Sequence, residues 1–313
     1  MGTLARFDGA TKRYGSRTVV DDLTFDVAEG SVTGLLGPNG AGKSTAIRLL
    51  LGIAGLTGGS CELLGAEPGG RGFRAAVRGT GSLIEAPSLY ANATARGNLE
   101  IWAVSRGMRR TDPRIGRVLE QVGLAGRGDD RAKNFSLGMR QRLGIAMAIV
   151  HEPQLVILDE PTNGLDPAGT VEIRELIRSL PSRGATVLVS SHVLGEVQKT
   201  VDHVVIIAAG RLRTSRPMSD FLAEMSGDEF TVVLAPDAWE RGRAALAAAG
   251  LQVEEAGQGT LHVTGEPRGS AIAKALADAG VYPDELHHRE SSLEEAFLAL
   301  TGTEPAGAEE VPA

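Results

Sequence analysis

The chain has 313 residues, which is enough for two compact units, each with a core of its own. Hydrophobic residues make up 42% of it and charged residues 23%, so a wholly disordered protein is excluded. The formal net charge of −7 argues against a dedicated nucleic-acid-binding protein. The single cysteine cannot form an internal disulfide and favours a reducing compartment. No apolar run approaches the roughly 18 residues that a membrane-spanning helix requires.

Short apolar runs alternate with helix-like stretches through the first two-thirds of the chain, which predicts an α/β fold. The runs have little polar alternation, and this is typical of parallel strands that are buried on both faces. We predict strands at Val32–Leu36, Leu155–Leu158, Thr186–Val189 and Val204–Ile207. Between about residues 89 and 143, apolar residues at helical spacing predict a helical insertion. We interpret its basic stretch as a solvated helical face, formed by Arg106, Arg109, Arg110 and Arg114.

A second, smaller domain is predicted after a change of composition near residues 211–217. The predicted order is strand, helix, strand, strand, helix, strand and helix, which indicates a small α+β domain. The last helix begins at Ser291, three residues before Glu294, as in a capping box. Strands are predicted at residues 230–234, 251–255, 260–264 and 285–289. The domains are therefore placed at residues 1–215 and 216–302, and a polar tail that we expect to be disordered at 303–313.

A phosphate-binding loop directly follows the first predicted strand and precedes a helical pattern. Its glycines let successive backbone N–H groups turn inward around phosphate oxygens, and the N-terminus of the helix adds a partial positive charge. Lys43 is expected to reach the β- and γ-phosphates, and the hydroxyl of Ser44 to bind Mg²⁺. The alternative is a glycine-rich turn that binds nothing. The predicted nucleotide-binding segment comprises Gly37, Pro38, Asn39, Gly40, Ala41, Gly42, Lys43, Ser44 and Thr45.

Two acidic residues stand at the end of the predicted strand at 155–158. In α/β sheets, ligands bind outside the carboxyl ends of the strands, so these carboxylates should lie beside the phosphate loop. Asp159 is expected to hold Mg²⁺, and Glu160 to orient and deprotonate the attacking water. The alternative is a pair of solvated acids at a strand end.

Further segments resemble those of the ATP-binding cassette (ABC) ATPases. Residues Phe135–Met139 are similar to the signature sequence of that family, Asn163–Asp166 to its D-loop and Ser190–His192 to its switch histidine. Tyr14 stands where the family places an aromatic side chain against adenine. The C-terminal domain, with its segment Ser292–Leu298, resembles the accessory domain of bacterial bacitracin, lantibiotic and daunorubicin exporters. Together the two resemblances extend over almost the whole chain.

The resemblance implies an ABC ATPase domain with a mixed sheet and a helical subdomain, followed by a small α+β domain. It also implies a head-to-tail dimer around two ATP molecules, with Mg²⁺ as the metal. From one subunit, Ser136 and the backbone of Gly138 would cap the γ-phosphate, and Asp166 would cross the dimer interface. His192 would contact the γ-phosphate and the catalytic water. The remaining groups of the site would come from the other subunit, namely Lys43, Ser44, Asp159 and Glu160.

The sequence departs from the family pattern at two places. In the signature, Leu137 replaces a glycine and Met139 replaces a glutamine, a form that resembles the exporter subgroup. Glu85 stands at the position of the Q-loop glutamine. Its carboxylate can offer an oxygen to Mg²⁺, but it adds a negative charge near the triphosphate.

These features predict the ATPase subunit of a transporter, and more specifically of an exporter of a drug, an antibiotic or a peptide. The resemblance implies separate transmembrane permease subunits, a second ATPase subunit that is a copy of this chain, and a location at the cytoplasmic face of the membrane. No nucleic-acid partner is expected. One alternative is a soluble ABC ATPase that acts on ribosomes or DNA, which the acidic charge disfavours. Another is a small-molecule kinase, which leaves Phe135–Met139 and His192 unexplained.

Overall fold

The computed structural model describes residues 2–225, 230–257, 259–264 and 268–288. These residues divide into two compact units, the first extending to Met218 and the second beginning at Ser219. The strands of the first unit are β1 Thr3–Tyr14, β2 Arg17–Ala28, β3 Val32–Leu36, β4 Gly58–Leu63, β5 Thr80–Leu83, β6 Leu155–Asp159, β7 Thr186–Ser191, β8 His203–Ala208 and β9 Arg211–Pro217. Its helices are α1 Lys43–Leu50, α2 Phe73–Arg78, α3 Ala95–Ser105, α4 Arg114–Gln121, α5 Leu137–Ile149, α6 Pro167–Ser179 and α7 Leu194–Gln198.

Buried parallel strands form the centre of the first unit. They belong to a mixed sheet with the order β5-β6-β7-β3-β8-β9, in which β8 and β9 are antiparallel and the other neighbours are parallel. The four predicted strands are present as β3, β6, β7 and β8. Every residue of β3, β6 and β7 is buried, which explains why these strands lack polar alternation.

A second sheet of the first unit has the order β2-β1-β4 and is antiparallel. Its strands are not among those predicted above, although residues 23–27 of β2 alternate buried apolar with exposed polar side chains. The alternation of β1 is less regular, and its pairing with β2 contains several register shifts. Phe7 of β1 stacks on Phe25 of β2 with the ring centroids 4.6 Å apart. Helix α1 contributes Ala46, Ile47 and Leu50 to a buried cluster that also contains residues of both sheets. The helix that follows the phosphate loop is therefore held by packing against both.

The predicted helical insertion is present as α3, α4 and the first part of α5, which continues to Ile149. Ile115, Val118 and Leu119 of α4 are buried, as their helical spacing predicts. Helix α5 begins at Leu137, directly after Ser136, and buries most of its second half. The signature segment therefore forms the start of a long, well-packed helix.

Most of the basic stretch is not helical, because α3 ends at Ser105 and α4 begins at Arg114. Arg109 and Arg110 are exposed, as expected, but Arg106 is partly buried. One guanidinium nitrogen of Arg106 donates to the carbonyl oxygens of Arg78 at 3.0 Å and of Thr80 at 3.2 Å. Partial burial lowers the pKa of Arg106. Arg106 therefore ties the end of α3 to the turn that precedes β5.

Residues 211–217, where the composition changes, form the edge strand β9. Thr214 is its one buried residue, so the strand carries little of the apolar pattern by which strands are recognised. The first unit continues through this strand to Met218.

The second unit begins at the second residue of α8 Met218–Met225 and contains β10 Phe230–Val233, α9 Trp239–Ala248, β11 Gln252–Glu255, β12 Thr260–Thr264, α10 Gly269–Asp278 and β13 Glu285–His288. From β10 to β13, the order of strands and helices is the predicted one. The strands form an antiparallel sheet of order β11-β12-β10-β13, which is a ferredoxin-like arrangement. Its core includes Val232, Leu246, Leu261 and Leu276. The helix predicted from Ser291 and the tail at 303–313 lie outside the described residues.

Candidate nucleotide-binding site

The phosphate loop connects β3 to α1, as its sequence context predicts. Gly42 caps the N-terminus of α1 with a φ of 107°, in the left-handed region that side chains rarely adopt. A Cβ atom on Gly37 would lie 2.2 Å from the backbone oxygen of Ile207. The path of the loop therefore depends on glycine at both positions.

A cavity of about 420 Å³ lies at the N-terminal end of α1. Asn39–Thr45 line it together with Tyr14, Glu160 and His192, so it brings together most of the nucleotide-binding residues that the sequence predicts. Tyr14 ends β1 and is 51% exposed, and the ammonium group of Lys12 lies over its ring, 4.8 Å from the centroid. The cavity therefore combines an aromatic ring with the backbone N–H groups of a helix N-terminus.

Lys43 supplies a buried positive charge to this cavity. Its side chain is only 5% exposed, and Nζ donates to the backbone oxygen of Gly37 at 2.7 Å and of Pro38 at 3.3 Å. The same Nζ lies 3.2 Å from Oε1 of Glu160. Gly37 and Pro38 therefore contribute to the site by holding the ammonium group, which can attract phosphate oxygens as a compact charge.

Glu160 lies between two groups that can hold its carboxylate. Oε1 faces Lys43, and Oε2 lies 2.6 Å from Nδ1 of His192. Its φ of 50° is left-handed, so the chain leaves the strand at this residue. A carboxylate fixed in this way is suited to orient a water molecule and accept its proton.

Asp159 ends β6 and is almost fully buried. Its Oδ1 accepts a hydrogen bond of 2.6 Å from the hydroxyl of Ser190 on the neighbouring strand. A second cavity, of about 280 Å³, is lined by Asp159, Ser44, Glu85 and Glu160. Hydroxyl and carboxylate oxygens are the ligands that Mg²⁺ prefers in proteins, so this set of donors fits Mg²⁺.

Glu85 has a partner that the sequence analysis does not predict. The guanidinium of Arg48 on α1 forms a hydrogen-bonded ion pair with the carboxylate of Glu85. The side chain of Glu85 is 67% exposed, and its φ of 60° is left-handed. Arg48 therefore offsets the negative charge that Glu85 introduces near the phosphate-binding loop.

The three remaining predicted residues line neither of these cavities. Ser136 is the N-cap of α5 and accepts a hydrogen bond from the backbone N–H of Met139 at 3.2 Å. Asp166 is the N-cap of α6 and accepts one from Gly169 at 3.1 Å. Gly138 lies in the first turn of α5. Within one chain, the side chains of Ser136 and Asp166 serve as helix caps and line neither cavity. A role at the γ-phosphate would therefore require a second copy of the chain.

Sequence reasoning leaves out three residues that belong to the site. Arg17 lines the first cavity and Asn163 lines both. Ser190 contacts Asp159 and Glu160. Asn163 lies within the D-loop segment and Ser190 begins the segment of the switch histidine, so the motifs could have found both. Arg17 is the register partner of Tyr14 at the start of β2, and no motif marks it.

Comparisons with known proteins show the family to which the chain belongs. The family model "ABC transporter" matches residues 20–163. The chain is 47% identical over 218 residues to the bacitracin transport ATP-binding protein BcrA of Bacillus licheniformis, which covers 69% of this chain and 71% of that protein. It is 35% identical over 306 residues to the daunorubicin resistance ATP-binding protein DrrA3 of Streptomyces coeruleorubidus, and this similarity covers 96% of this chain and 96% of that protein.

Solved structures of ABC transporter subunits are similar to about 71–72% of the chain. An ATP-binding subunit of an ABC transporter is 30% identical, with a TM-score of 0.64 over 71% of this chain and 93% of that one. The cbiO1 subunit of Clostridium perfringens, part of an ABC transporter complex, is 25% identical, with a TM-score of 0.66 over 72% of this chain and 92% of that one. Within the described ranges, no helix is long and apolar enough to cross a membrane. The chain belongs to the ABC transporter family, as a subunit that binds and hydrolyses ATP.

Proposed function

We propose that this ATPase powers an exporter of a drug, an antibiotic or a peptide. The observation that carries the proposal is the similarity to the daunorubicin resistance protein, which extends over 96% of the chain and so includes the second unit. The 47% identity to the bacitracin transport protein supports it. The proposed partners are separate transmembrane permease subunits, which would hold the chain at the cytoplasmic face of the membrane.

The cavity of the phosphate loop suggests how ATP is bound and hydrolysed. Tyr14 stacks on the base, and Lys43 exchanges its contacts with backbone oxygens for the β- and γ-phosphates. Ser44, Asp159 and Glu85 would provide oxygens for Mg²⁺, and the bound ion would neutralise phosphate charge. Glu160 and His192 then hold the attacking water, with Glu160 accepting its proton.

A second copy of the chain completes the site in this proposal. Ser136 and Gly138 of that copy face the γ-phosphate at the N-terminus of α5, where the partial positive charge of the helix stabilises an anion. Asp166 contributes at the interface. ATP then becomes part of the contact between the two subunits, and hydrolysis removes the charge that holds them together.

We also propose that the cassette occupies about residues 1–215 and the accessory domain about residues 216–302, and that the accessory domain stabilises the dimer. The division of the described residues after Met218 supports this organisation. A chain that ends at Met218 keeps strand β9 whole, and we expect it to bind ATP normally but to dimerise more weakly in sedimentation experiments. Normal ATP-driven dimerisation of this shorter chain would contradict the stabilising role.

An affinity purification from gently solubilised membranes tests the exporter proposal. We expect the tagged chain to bring down a polytopic membrane protein in stoichiometric amount, identified by mass spectrometry. Its identity would narrow the class of cargo. Recovery of ribosomal proteins or DNA-repair factors in its place would contradict the proposal and favour a soluble ABC ATPase.

The nucleotide site is tested separately with Lys43→Ala. Because this change removes the buried charge of the cavity, we expect a loss of Mg-ATP affinity of at least about tenfold. Lys274→Ala, which removes an exposed lysine of the second unit, is the matched control and should bind like the unaltered protein. Equal affinity of the two variants, measured by isothermal titration calorimetry, would contradict the assignment of the phosphate loop.

A further inference from the structure

Ser190 holds two carboxyl-bearing residues at once. It lies on β7, is fully buried, and pairs in register with Asp159 on the adjacent strand β6. Its Oγ donates to Oδ1 of Asp159 at 2.6 Å and accepts from the backbone N–H of Glu160 at 2.9 Å. A backbone N–H can only donate and a hydroxyl has one hydrogen, so these two bonds together fix the direction of each.

The second of these bonds supports an unusual backbone conformation. Glu160 has a φ of 50°, which is costly for a residue with a side chain and persists only where the surroundings hold it. Strand β6 ends at Asp159. The backbone N–H of the next residue, Glu160, donates to the hydroxyl of Ser190 and not to a backbone oxygen of the neighbouring strand. The turn directs the carboxylate of Glu160 toward Lys43 and His192.

The adjacent hydroxyl does not duplicate this arrangement. Ser191 is also buried, but its Oγ accepts from the backbone N–H of Val193 at 3.0 Å and lies 3.3 Å from the oxygen of the same residue. Ser190 is therefore the hydroxyl that connects the end of β7 to both acidic residues.

We propose that Ser190 is a positioning residue for ATP hydrolysis, which orients the carboxylate of Asp159 toward the metal and the carboxylate of Glu160 toward the attacking water. This inference rests on the proposed roles of these two carboxylates. A hydroxyl that served only to satisfy buried polar groups would affect the stability of the sheet alone. A positioning residue affects metal binding as well, because the partners that orient a ligand tune its affinity.

The test compares Ser190→Ala with Thr186→Val in the full chain. Thr186 lies on the same strand, is equally buried, and its hydroxyl accepts from the backbone N–H of Gly30 at 2.8 Å. Thr186→Val therefore also removes a hydroxyl from a buried position, with one hydrogen bond where Ser190→Ala loses two, but away from the carboxylates. We measure nucleotide affinity in EDTA, and then Mn²⁺ affinity by electron paramagnetic resonance with a non-hydrolysable ATP analogue bound.

We expect the unaltered protein, Ser190→Ala and Thr186→Val to bind nucleotide with equal affinity in EDTA. In Ser190→Ala, the dissociation constant for Mn²⁺ should rise about tenfold and kcat should fall by a similar factor, while Thr186→Val leaves both unchanged. If Ser190→Ala is poorly folded, Ser190→Cys replaces it in the comparison with Thr186→Val. Cysteine leaves no cavity at this position, but its thiol is only a weak hydrogen-bond donor.

Unchanged Mn²⁺ affinity in Ser190→Ala and Ser190→Cys, with a lower melting temperature only, would overturn the inference and leave Ser190 as part of the scaffold. A loss of Mn²⁺ affinity in Thr186→Val as large as that in Ser190→Ala would also overturn it. If the unaltered protein binds no Mn²⁺ in the presence of nucleotide, the proposed metal site itself fails, and the role of Ser190 fails with it.

Discussion

Arg48 compensates the negative charge of Glu85 near the proposed nucleotide site. Glu85 lines the same cavity as Ser44 and Asp159, and an unpaired carboxylate there would repel phosphate oxygens. The ion pair with Arg48 keeps the charge of the pair near zero. Both side chains are partly exposed, so solvent screens the effect and its magnitude is that of a surface interaction.

We therefore expect Arg48→Ala to weaken Mg-ATP binding by about two- to fivefold, in line with surface charge pairs. The double variant Arg48→Ala/Glu85→Gln should recover most of this loss, since it removes both charges. Arg6→Ala breaks a comparable exposed pair with Asp26 on the antiparallel sheet and should leave the affinity unchanged. Titration calorimetry measures all three, and a loss in the double variant as large as in Arg48→Ala would contradict the charge explanation.

His151 couples the stability of the first unit to pH. Burial, and then the charge of Arg106, lower the pKa of His151 from 6.5 to about 4. Nε2 of His151 lies 3.4 Å from a guanidinium nitrogen of Arg106, so the neutral ring is the form that fits. Above pH 6.5 the ring is neutral in both folded and unfolded chains, and it contributes no pH dependence.

Below that pH the unfolded chain takes up a proton that the folded chain refuses, so stability is lost as the pH falls from 6.5 toward 4. We expect a contribution on the order of 1 kcal/mol between pH 7 and 5, after allowance for partial exposure. His151→Gln should lose correspondingly less stability over this interval in urea unfolding experiments. Parallel pH profiles for the two proteins would contradict the assignment to His151.

At the scale of elements, the first unit depends on the close approach of β5 to α5. A Cβ atom on Gly81 would lie 2.0 Å from the backbone oxygen of Ala148 and 3.1 Å from Cγ of Pro153. Because the nearest atom belongs to the backbone, the strand itself would have to move. Strand β5 leads directly into the loop of Glu85, so its position also sets the position of that loop.

Gly81→Ala is therefore expected to lower the free energy of unfolding by about 1–3 kcal/mol, the usual cost of overpacking a core. Gly116→Ala is the matched control, because Gly116 lies within α4 and a Cβ atom there has open space around it. This control should raise stability by up to about 1 kcal/mol, since alanine is the better helix former. Changes of the same sign in the two variants, in chemical denaturation, would contradict the packing argument.

The elements differ in how far their own residues reveal them. The buried strands β3, β6 and β7 are predictable because both faces are covered, and this favours short runs that are mostly apolar, such as residues 155–158 and 187–189. The edge strand β9 is not, because it keeps a single buried residue and depends on pairing with β8. In the sheet of β1, β2 and β4, β1 pairs with β2 through several register shifts and its alternation is irregular, whereas residues 23–27 of β2 do alternate and could have identified that strand.

In the candidate site, too, some residues can be predicted from neighbouring residues, whereas some contacts depend on segments that are distant in the sequence. Lys43, Asp159 and Glu160 follow from short motifs, because each stands at the end of a strand or the start of a helix that the neighbouring residues specify. The contacts of Ser190 with Asp159 and of Arg48 with Glu85 join residues that are 31 and 37 positions apart. Such contacts arise from the pairing of strands and the packing of α1, which the local sequence does not determine.

At the scale of the whole molecule, a single chain brings together only part of the proposed site. Lys43, Glu160 and His192 share one cavity, whereas Ser136 and Asp166 cap helices and line neither cavity. If two copies pair head to tail, each ATP lies between the phosphate loop of one copy and the signature of the other. If one inactive variant is altered in the phosphate loop and another in the signature, a dimer with one copy of each would then contain one intact site.

We expect Lys43→Ala and Ser136→Asp each to be inactive alone. Aspartate is also a good N-cap, so it preserves the start of α5 while it places a negative charge against the γ-phosphate. In an equal mixture, half of the dimers carry one copy of each and keep one intact site of two, so activity should reach about a quarter of the unaltered rate if the sites act independently. Lys43→Ala mixed with Glu160→Gln is the control, because both defects lie on the same side and no intact site can form. Equal activity of the two mixtures in an ATPase assay would contradict the head-to-tail arrangement.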